Sequence, residues 1–275
     1  MLTTFENKTV IITGASAGVG AACARTFAAM KAKLVLVARG EAALNAIADE
    51  LRGQCDVLTV VMDVASNDDC LALLEKAETA FGAVHVVVNN AGMHVRGDLA
   101  KINPQDVAAM VDVNMRAPLL LSCAAIPYLQ RAGSGAIVNI GSLAGRAPLQ
   151  GAATYSATKA GLRAFSYALG DELRDHNISV GVVSPGPIDT GFIMDEIDLV
   201  EDIVFSQPMS SAQQVADAVV TVARGEETEV VLPAVSAKLT HLSYLFPGLR
   251  RSLRPKLYEQ GRKNKEKYRN RQPTK

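Results

Sequence analysis

The 275-residue sequence predicts an α/β protein in three α/β/α layers, with a doubly wound parallel sheet of about seven strands between two layers of helices. Short apolar or β-branched runs alternate with longer helical stretches, which is the pattern of a parallel sheet with crossover helices. Small and polar residues gather directly after several of these runs, at the strand ends where ligands bind in such sheets. The predicted strands are Thr9–Thr13, Lys33–Ala38, Val57–Met62, Val84–Val88, Gly135–Ile140, Ile178–Val183 and Glu229–Leu232.

The first strand leads into a glycine-rich turn and then into an alanine-rich helix that reaches about Met30. The turn contains Gly14, Gly18 and Gly20. Glycine lets the backbone turn tightly and approach a pyrophosphate, whose charge meets the positive end of the helix. A strand, a glycine-rich turn and a helix in this order favour binding of a dinucleotide cofactor.

The end of the second strand bears on which dinucleotide binds. In a unit of this kind a carboxylate there holds the ribose hydroxyls of NAD, whereas an arginine accommodates the 2′-phosphate of NADP. Residues 36–40 contain no Asp or Glu, and Arg39 stands at the end of the strand. The sequence therefore favours NADP(H) over NAD(H), with Arg39 as a solvated loop charge as the alternative.

Further polar residues follow the third and fourth predicted strands. Asp63 is placed either to accept from an adenine amino group or to cap the helix that begins near Ser66, and both roles are compatible. The run from Asn89 to Gly92 suits close backbone packing near a cofactor, or a plain turn.

The helix predicted over Ala152–Leu173 carries Tyr155 and Lys159 four residues apart, so that their side chains share one face. A lysine charge beside a tyrosine favours phenolate, so we expect the pKa of Tyr155 to lie below its usual value of about 10. Ser142 stands just past the fifth strand. Asn114 lies within a helix among apolar neighbours, where it either faces solvent or is held by a partner. These residues together indicate a site that handles protons.

In their order along the chain, these motifs resemble the short-chain dehydrogenase/reductase family, in its shorter single-domain branch. The resemblance covers about Lys8 to Thr190 and implies a Rossmann-type fold. It implies hydride transfer between a nicotinamide cofactor and a carbonyl/alcohol pair, with lipophilic compounds such as ketosteroid-, ketoacyl- or retinoid-like ones as the candidate substrates. The matching motifs are Thr13–Gly20, Asp63-Val64, Asn89–Gly92, Asn114, Ser142, Tyr155-x-x-x-Lys159 and Pro185-Gly186 with Thr190.

The resemblance also implies roles for individual residues. Tyr155 would be the general acid in reduction and the base in oxidation, and Ser142 would polarise the substrate oxygen. Lys159 would hold the nicotinamide ribose and keep the pKa of Tyr155 low, while Asn114 would position a water in a proton relay. Ile188 and Thr190 would contact the nicotinamide carboxamide. The expected cofactor-binding residues are Gly14, Ser16, Ala17, Gly18, Val19, Gly20, Arg39, Asp63, Val64, Asn90, Ala91, Gly92, Tyr155, Lys159, Pro185, Gly186, Ile188 and Thr190.

One departure from the family pattern concerns the cofactor. Members that prefer NADP often carry a basic residue just before the middle glycine, where this chain has Ala17. The preference for NADP(H) therefore depends mainly on Arg39.

These motifs do not extend into the C-terminal part of the chain. Residues 1–233 are predicted to form one cofactor-binding domain with a variable substrate loop at 191–208, which is either a lid over a hydrophobic substrate or an ordinary amphipathic cover of the core. Residues 234–263 are predicted to be an amphipathic extension, broken at Pro247-Gly248, and residues 264–275 a basic, disordered tail. From Arg250 onward eleven basic and two acidic residues give a net charge of +9, leaving −9 on residues 1–249. The extension is expected to lie on an anionic membrane, on a neighbouring subunit or on the acidic body.

Composition narrows the function further. Lys plus Arg and Asp plus Glu both number 28, which does not suggest nucleic acid, and the four cysteines lack metal-like spacing. The N-terminus lacks the apolar region of a secretory signal, so we expect a cytoplasmic protein. We also expect a homodimer or homotetramer, with peripheral membrane contact through the extension as one alternative. The alternative function is a nucleotide-binding regulatory or scaffold protein without turnover. An epimerase or dehydratase of the larger family branch is disfavoured by the glycine spacing.

Overall fold

A computed structural model describes residues 2–270, apart from the side chain of Leu249. Its seven strands form a parallel sheet, as predicted, and they lie in the order β3-β2-β1-β4-β5-β6-β7. The chain moves outward from β1 to β3 and then returns to the other side of β1, which creates the crevice where such sheets bind ligands. The strands are β1 (Thr9–Thr13), β2 (Lys33–Ala38), β3 (Val57–Val61), β4 (Val86–Asn89), β5 (Gly135–Ile140), β6 (Ile178–Pro185) and β7 (Glu229–Leu232).

Helices cover both faces of the sheet, because alternate strand residues point to opposite sides. The helices are α1 (Gly18–Ala29), α2 (Glu41–Leu51), α3 (Asn67–Phe81), α4 (Pro104–Val111), α5 (Ala117–Arg131), α6 (Ala153–Glu172), α7 (Gly191–Met194), α8 (Ala212–Ala223), α9 (Val235–Leu245) and α10 (Pro247–Arg269). Val10 and Ile12 of β1 pack in the core beneath α1, α2 and α8, whereas Ile11 packs in the core beneath α3, α5 and α6.

A single π turn over Asp112–Arg116 joins α4 to α5, so that Pro104–Arg131 is one nearly continuous helical stretch. Within the described residues this stretch is the one long and apolar enough to cross a membrane by length and composition. Leu121 and Leu129 are nevertheless buried in the core below the sheet, as in the core helix of a globular protein.

The C-terminal extension differs from its prediction. Helix α10 continues to Arg269, so the predicted disorder from Asn264 onward is wrong for residues 264–269. The physical reason is that this part of the helix finds partners in the acidic substrate loop: Lys265 donates to the carbonyl of Val200 at 2.6 Å and Arg269 pairs with Asp198. Residues 271–275 of the predicted tail lie outside the described residues.

Candidate functional site

The predicted site residues meet at one edge of the sheet, where the parallel strands end. The glycine-rich turn follows β1, Asn90 follows β4, Ser142 follows β5, and Pro185 is the last residue of β6. Helix α6 brings Tyr155 and Lys159 to the same edge beside Ser142. The convergence expected from the sequence is therefore present in the fold.

The glycine-rich turn has the backbone geometry of a phosphate cradle. Gly14 and Gly18 adopt φ values of +67° and +53°, which residues other than glycine rarely adopt. A Cβ at Gly20 would overlap the carbonyl oxygen of Gly14, so α1 must begin with a bare backbone. No side chain of the described residues caps α1, whereas the residues that precede α3, α4 and α8 do cap those helices. The first turn of α1 thus keeps its N–H groups for an anion, and these residues fit a dinucleotide.

Asn90 braces this turn from the neighbouring strand. Its side-chain amide donates to the carbonyls of Thr13 and Gly14 at 2.8 and 3.2 Å. The hydroxyl of Thr13 in return accepts from the backbone N–H groups of Asn90 and Ala91, each at 3.0 Å. Asn90 therefore contacts the glycine-rich turn, which is the loop that would hold a cofactor.

Arg39 and Asp63 lie next to each other at the ends of β2 and β3. An Arg39 guanidinium nitrogen is 3.8 Å from a carboxylate oxygen of Asp63, and both side chains are exposed. The other Asp63 oxygen accepts from the N–H of Ala65 at 2.9 Å. The predicted capping of α3 by Asp63 is wrong, because the Ser66 hydroxyl accepts from the N–H of Asp69 and caps that helix.

The remaining predicted cofactor residues occupy the same edge. Thr190 faces the turn, since a Cβ at Gly18 would lie 3.6 Å from its side chain. The N–H of Gly186 donates to the carbonyl of Leu232 at 2.6 Å, and Ile188 forms an isolated parallel bridge with Ser210. Ala17 has extended backbone directly before α1. Ser16, Val64 and Gly92 lie in the segments after β1, β3 and β4, and Val19 lies in the first turn of α1.

The pKa of Tyr155 differs from the expected one, and the pKa of the neighbouring Lys159 is shifted as well. The buried Lys159 amino group donates to the carbonyl of Ile140 at 2.8 Å and lies 5.8 Å from the Tyr155 ring centre. Burial lowers the pKa of Lys159 to about 8. Burial raises the pKa of Tyr155, although a hydrogen bond with Ser142 and the charge of Arg96 act in the opposite direction. The expected lowering of the Tyr155 pKa by Lys159 is therefore wrong for the protein on its own.

Asn114 is buried within the π turn and is held by a partner. Its side-chain oxygen accepts from the N–H of Met93 and its amide donates to the Met93 carbonyl, both at 2.8 Å. A Cβ at Gly92 would lie 3.3 Å from the Asn114 oxygen and 3.8 Å from the Lys159 nitrogen. Asn114 thus fixes the chain that leaves β4, directly beside Lys159. A π turn inside an α-helix often marks a functional position.

Two site residues were missing from the sequence-based prediction, His94 and Arg96. The His94 ring stacks on the Tyr155 ring, with centres 4.2 Å apart and planes 15° from parallel. Arg96 contacts the Nδ1 atom of His94 at 2.8 Å and also donates to the Phe192 carbonyl at 2.9 Å. The signal available was weak: both residues closely follow the Asn89–Gly92 run, but nothing in the sequence pairs them with Tyr155.

A buried polar network under the site was also missed. The Asn89 amide donates to the Asn139 oxygen at 2.8 Å and to the Ser122 hydroxyl at 3.1 Å. The Asn139 amide donates in turn to the Ser166 hydroxyl at 2.9 Å. These bonds join β4 and β5 to α5 and α6, one residue before the Ile140 carbonyl that accepts from Lys159.

A second buried cluster surrounds Glu229 at the start of β7. Arg146, four residues after Ser142, pairs with this carboxylate, as does Arg163 of α6 at 2.8 Å. Burial alone would raise the pKa of Glu229, but hydrogen bonds from both arginines and from Ser184 and Tyr167 outweigh it and hold the pKa at about 2. The turn that carries Ser142 is therefore anchored to the far edge of the sheet.

Comparison with known proteins identifies the class. Residues 8–198 match the family described as short chain dehydrogenase. The chain is 34% identical over 227 residues to 3-oxoacyl-[acyl-carrier-protein] reductase FabG of Escherichia coli, covering 81% of this chain and 92% of that protein. It is 31% identical over 236 residues to the ketoacyl reductase HetN of a Nostoc species, covering 84% and 80% of the two chains. A crystal structure of a short-chain type dehydrogenase/reductase from Mycobacterium marinum superposes with a TM-score of 0.77 at 26% identity, covering 84% of this chain and 96% of that one.

The protein belongs to the short-chain dehydrogenase/reductase family, which confirms the resemblance drawn from its motifs. It is an NAD(P)-dependent dehydrogenase/reductase, and its sheet is the Rossmann-type sheet of that family.

Proposed function

We propose that this protein is an NADP(H)-dependent oxidoreductase that interconverts a carbonyl compound and a secondary alcohol, with Tyr155 as the general acid/base. The observation that carries the proposal is the meeting of Tyr155, Ser142 and Lys159 at the strand ends. The uncapped glycine-rich turn lies at the same edge and suits the cofactor pyrophosphate.

Each residue has a distinct part in this chemistry. A bound nicotinamide supplies the hydride in reduction and accepts it in oxidation. Tyr155 donates its phenolic proton to the carbonyl oxygen during reduction and takes it back during oxidation. Ser142 donates a second hydrogen bond to the same oxygen, which stabilises the charge that develops there. Lys159, whose pKa is about 8, holds the ribose and exchanges protons near neutral pH, with Asn114 positioning a water for the relay.

The preference for NADP(H) rests on the end of β2. Arg39 is exposed and its only carboxylate within the described residues is that of Asp63 at 3.8 Å, so the guanidinium keeps most of its donors for a phosphate. Asp63 contacts the adenine from the end of β3. Exposed ion pairs of this length contribute little energy, so Arg39 is free to change partners when the cofactor binds.

The substrate class is proposed from the loop and from the relatives. In the substrate loop, Phe192 is exposed and its ring centre lies 5.7 Å from the Arg96 guanidinium beside the site, which favours a lipophilic carbonyl compound. Two relatives, FabG and HetN, are named as 3-oxoacyl and ketoacyl reductases. Of the ketosteroid-, ketoacyl- and retinoid-like candidates, these names favour a ketoacyl compound as the substrate.

Replacing Tyr155 by Phe tests the proposal. We expect NADPH oxidation over a panel of carbonyl compounds to fall by about 10²- to 10⁴-fold, because the proton donor is lost, while NADPH binding remains. Tyr244→Phe, on the exposed face of α9, is the matched control and should keep full activity. A wild type with no turnover on any carbonyl would instead support the alternative, a nucleotide-binding regulatory or scaffold protein.

The cofactor preference is tested by titrating the protein with NADPH and NADH. We expect NADPH to bind more tightly, and Arg39→Ala to weaken NADPH but not NADH, because only NADPH carries the 2′-phosphate. Arg52→Ala, an exposed arginine directly after the far end of α2, controls for general charge loss. Equal affinity for the two dinucleotides in the wild type would contradict the preference.

The setting of the enzyme is also a proposal. Residues 1–233 act as one catalytic domain, in a cytoplasmic homodimer or homotetramer. The extension from residue 234 brings part of the population to membranes: Leu239, Leu242 and Leu245 share an exposed face of α9, and Lys238 lies beside them. An exposed apolar face flanked by basic residues suits an anionic lipid surface.

A further inference from the structure

In the protein without cofactor, Lys159 is poorly suited to stabilise a phenolate at Tyr155. Burial raises the pKa of Tyr155 above its ordinary value of 10.0. The pKa of Lys159 is about 8, so its amino group is largely neutral at a pH where the phenol ionises. Its Nζ atom lies 5.8 Å from the Tyr155 ring centre and donates to the Ile140 carbonyl at 2.8 Å.

Arg96 places a second cation close to the Tyr155 ring. The His94 ring stacks on that of Tyr155, with the ring centres 4.2 Å apart, and an Arg96 guanidinium nitrogen lies 2.8 Å from the Nδ1 atom of His94. Burial lowers the pKa of His94 to about 3, so the imidazole is neutral and the guanidinium carries the charge. Arginine is not deprotonated in proteins, so this charge persists while the phenol ionises.

The substrate loop holds Arg96 almost out of water. The Arg96 side chain is only 9% exposed, and it donates to the Phe192 carbonyl at 2.9 Å and pairs with Glu196 at 3.2 Å. Charges interact more strongly where water is excluded, so a buried guanidinium acts on its surroundings more than an exposed one. The Glu196 carboxylate offsets part of its positive charge. The loop therefore contributes to the electrostatic environment of Tyr155.

Other groups near Tyr155 do not replace this cation. Ser142 forms a hydrogen bond that also lowers the pKa of Tyr155, but its hydroxyl carries no charge. The Glu201 carboxylate lies against the chain just before α6, where a negative charge opposes ionisation of a phenol. Arg146, in the turn after Ser142, is paired with Glu229. None of these three groups supplies an uncompensated positive charge.

We propose that Arg96 is the residue that stabilises the phenolate form of Tyr155, with Glu196 of the substrate loop as the counter-charge that limits its effect. The inference rests on the proposed function, in which Tyr155 passes a proton to and from the substrate oxygen. A nearby cation favours the phenolate, and a proton donor works best when its pKa approaches the working pH. Arg96 and Glu196 act through Tyr155 and are not catalytic residues themselves.

The test is a titration of the Tyr155 phenol in variants whose effects have opposite signs. Tyrosinate absorbance is followed against pH, and Tyr155 is isolated as the difference between each protein and the same protein with Tyr155→Phe. We expect the pKa of Tyr155 to rise by about one pH unit in Arg96→Met and to fall by about half a unit in Glu196→Gln. Arg96→Lys keeps the charge and should recover most of the shift. The pH at which carbonyl reduction slows should move in the same directions, because only the protonated phenol donates.

A second arginine–glutamate pair provides the matched controls. Arg25 and Glu50 pair at 2.7 Å on helices that cover the other face of the sheet. Arg25→Met and Glu50→Gln should therefore leave the titration of Tyr155 unchanged.

Three outcomes would overturn the inference. Shifts of the same sign in Arg96→Met and Glu196→Gln would assign this pair a structural role in holding the substrate loop. An unchanged titration in both variants would remove the electrostatic effect altogether. A larger rise in Lys159→Met than in Arg96→Met would return the role to Lys159. Because the absorbance titration needs no turnover, a wild type inactive on every carbonyl compound would contradict the proposed function alone.

Discussion

Lys159 places its amino group in a position from which the protein excludes water, with the Ile140 carbonyl as its acceptor at 2.8 Å. Removing a charge from water favours the neutral amine, which is why the pKa of Lys159 falls from 10.5 to about 8. The same exclusion raises the pKa of the Tyr155 phenol. Near neutral pH the phenol is uncharged whether the chain is folded or unfolded, so the electrostatic cost of burial falls on Lys159 alone. A negatively charged or hydroxyl-rich ligand beside Lys159 would reduce this cost.

This cost predicts that Lys159→Met stabilises the protein while it abolishes activity. The folded pKa lies below the unfolded one, so below about pH 8 the wild type bears the full cost, and the cost declines as the pH rises from about 8 to 10.5. We expect the variant to exceed the wild type in unfolding free energy by up to about 3 kcal/mol at pH 7, with a much smaller gap at pH 10. Urea denaturation without cofactor at both pH values measures the gap. A gap that does not depend on pH, or a variant less stable at pH 7, would contradict the prediction.

Individual site residues differed in how far the sequence revealed them. Ser142, Tyr155 and Lys159 were predictable because strand ends and helix spacing fix where such side chains project. His94 was not, because its importance comes from stacking on a residue far along the chain. Asn114 was recognised as anomalous, but the π turn and the Met93 backbone that hold it are tertiary features without a local signal.

At the scale of elements, α10 and the substrate loop form one unit. Tyr258 donates to Glu201 at 3.1 Å, and Asn264 donates to the Phe205 carbonyl at 3.0 Å. Lys265 pairs with Asp202 at 3.3 Å. The extension was expected to lie on a membrane, on a neighbouring subunit or on the acidic body of its own chain. These contacts show that α10 lies on the acidic body. The loop residues Phe192 and Glu196 also hold Arg96, so α10 supports the loop that holds Arg96 and, through it, His94.

Close backbone contact makes Gly261 the sensitive point of this unit. A Cβ there would overlap the carbonyl of Asp202, whereas a Cβ at Gly248 of the same helix meets nothing within 4 Å. Alanine favours a helix by about 1 kcal/mol over glycine, so Gly248→Ala should be neutral or stabilising. Gly261→Ala should lower the unfolding free energy by about 1–3 kcal/mol and speed tryptic cleavage within α10. Equal cleavage rates in the two variants would mean that α10 does not depend on this contact.

Elements were predictable to the extent that local pattern determines them. Strands β1, β2, β5 and β7 have the predicted bounds, because mainly apolar runs between turn residues leave little choice of where each strand begins and ends. The last turns of α10 were predicted as disordered because their composition is polar and basic, and the acidic partners that order them lie more than fifty residues earlier.

At the scale of the whole molecule, charge is separated along the chain, at −9 for residues 1–249 and +9 from Arg250 onward. The basic residues of α10 that face the substrate loop are neutralised there. On α9 the polar side faces the body, with Ser236 and Thr240 buried, and the apolar side faces outward. This orientation leaves an apolar face for a surface outside the molecule.

The membrane proposal predicts that Leu239→Ser with Leu245→Ser weakens binding to vesicles. We expect the wild type to co-sediment with vesicles that contain phosphatidylserine, less with pure phosphatidylcholine, and the double variant to lose most of the binding, because apolar insertion and basic charge act together. Leu199→Ser, an exposed leucine in the substrate loop, is the matched control. If the wild type binds neither kind of vesicle and the double variant changes its oligomeric state, the apolar face of α9 belongs to the contact with a second copy of the chain.

The Arg146 side chain links three parts of the protein that are usually considered separately. It pairs with Glu229 in β7 and donates to the Thr240 hydroxyl of α9 at 3.1 Å, while its backbone belongs to the turn after Ser142. Anyone building chimaeras between this protein and its relatives would therefore have to transfer Arg146, Glu229 and Thr240 as a set. An exchange of C-terminal segments alone would leave a buried guanidinium without its partners, four residues after Ser142, which we propose polarises the substrate oxygen.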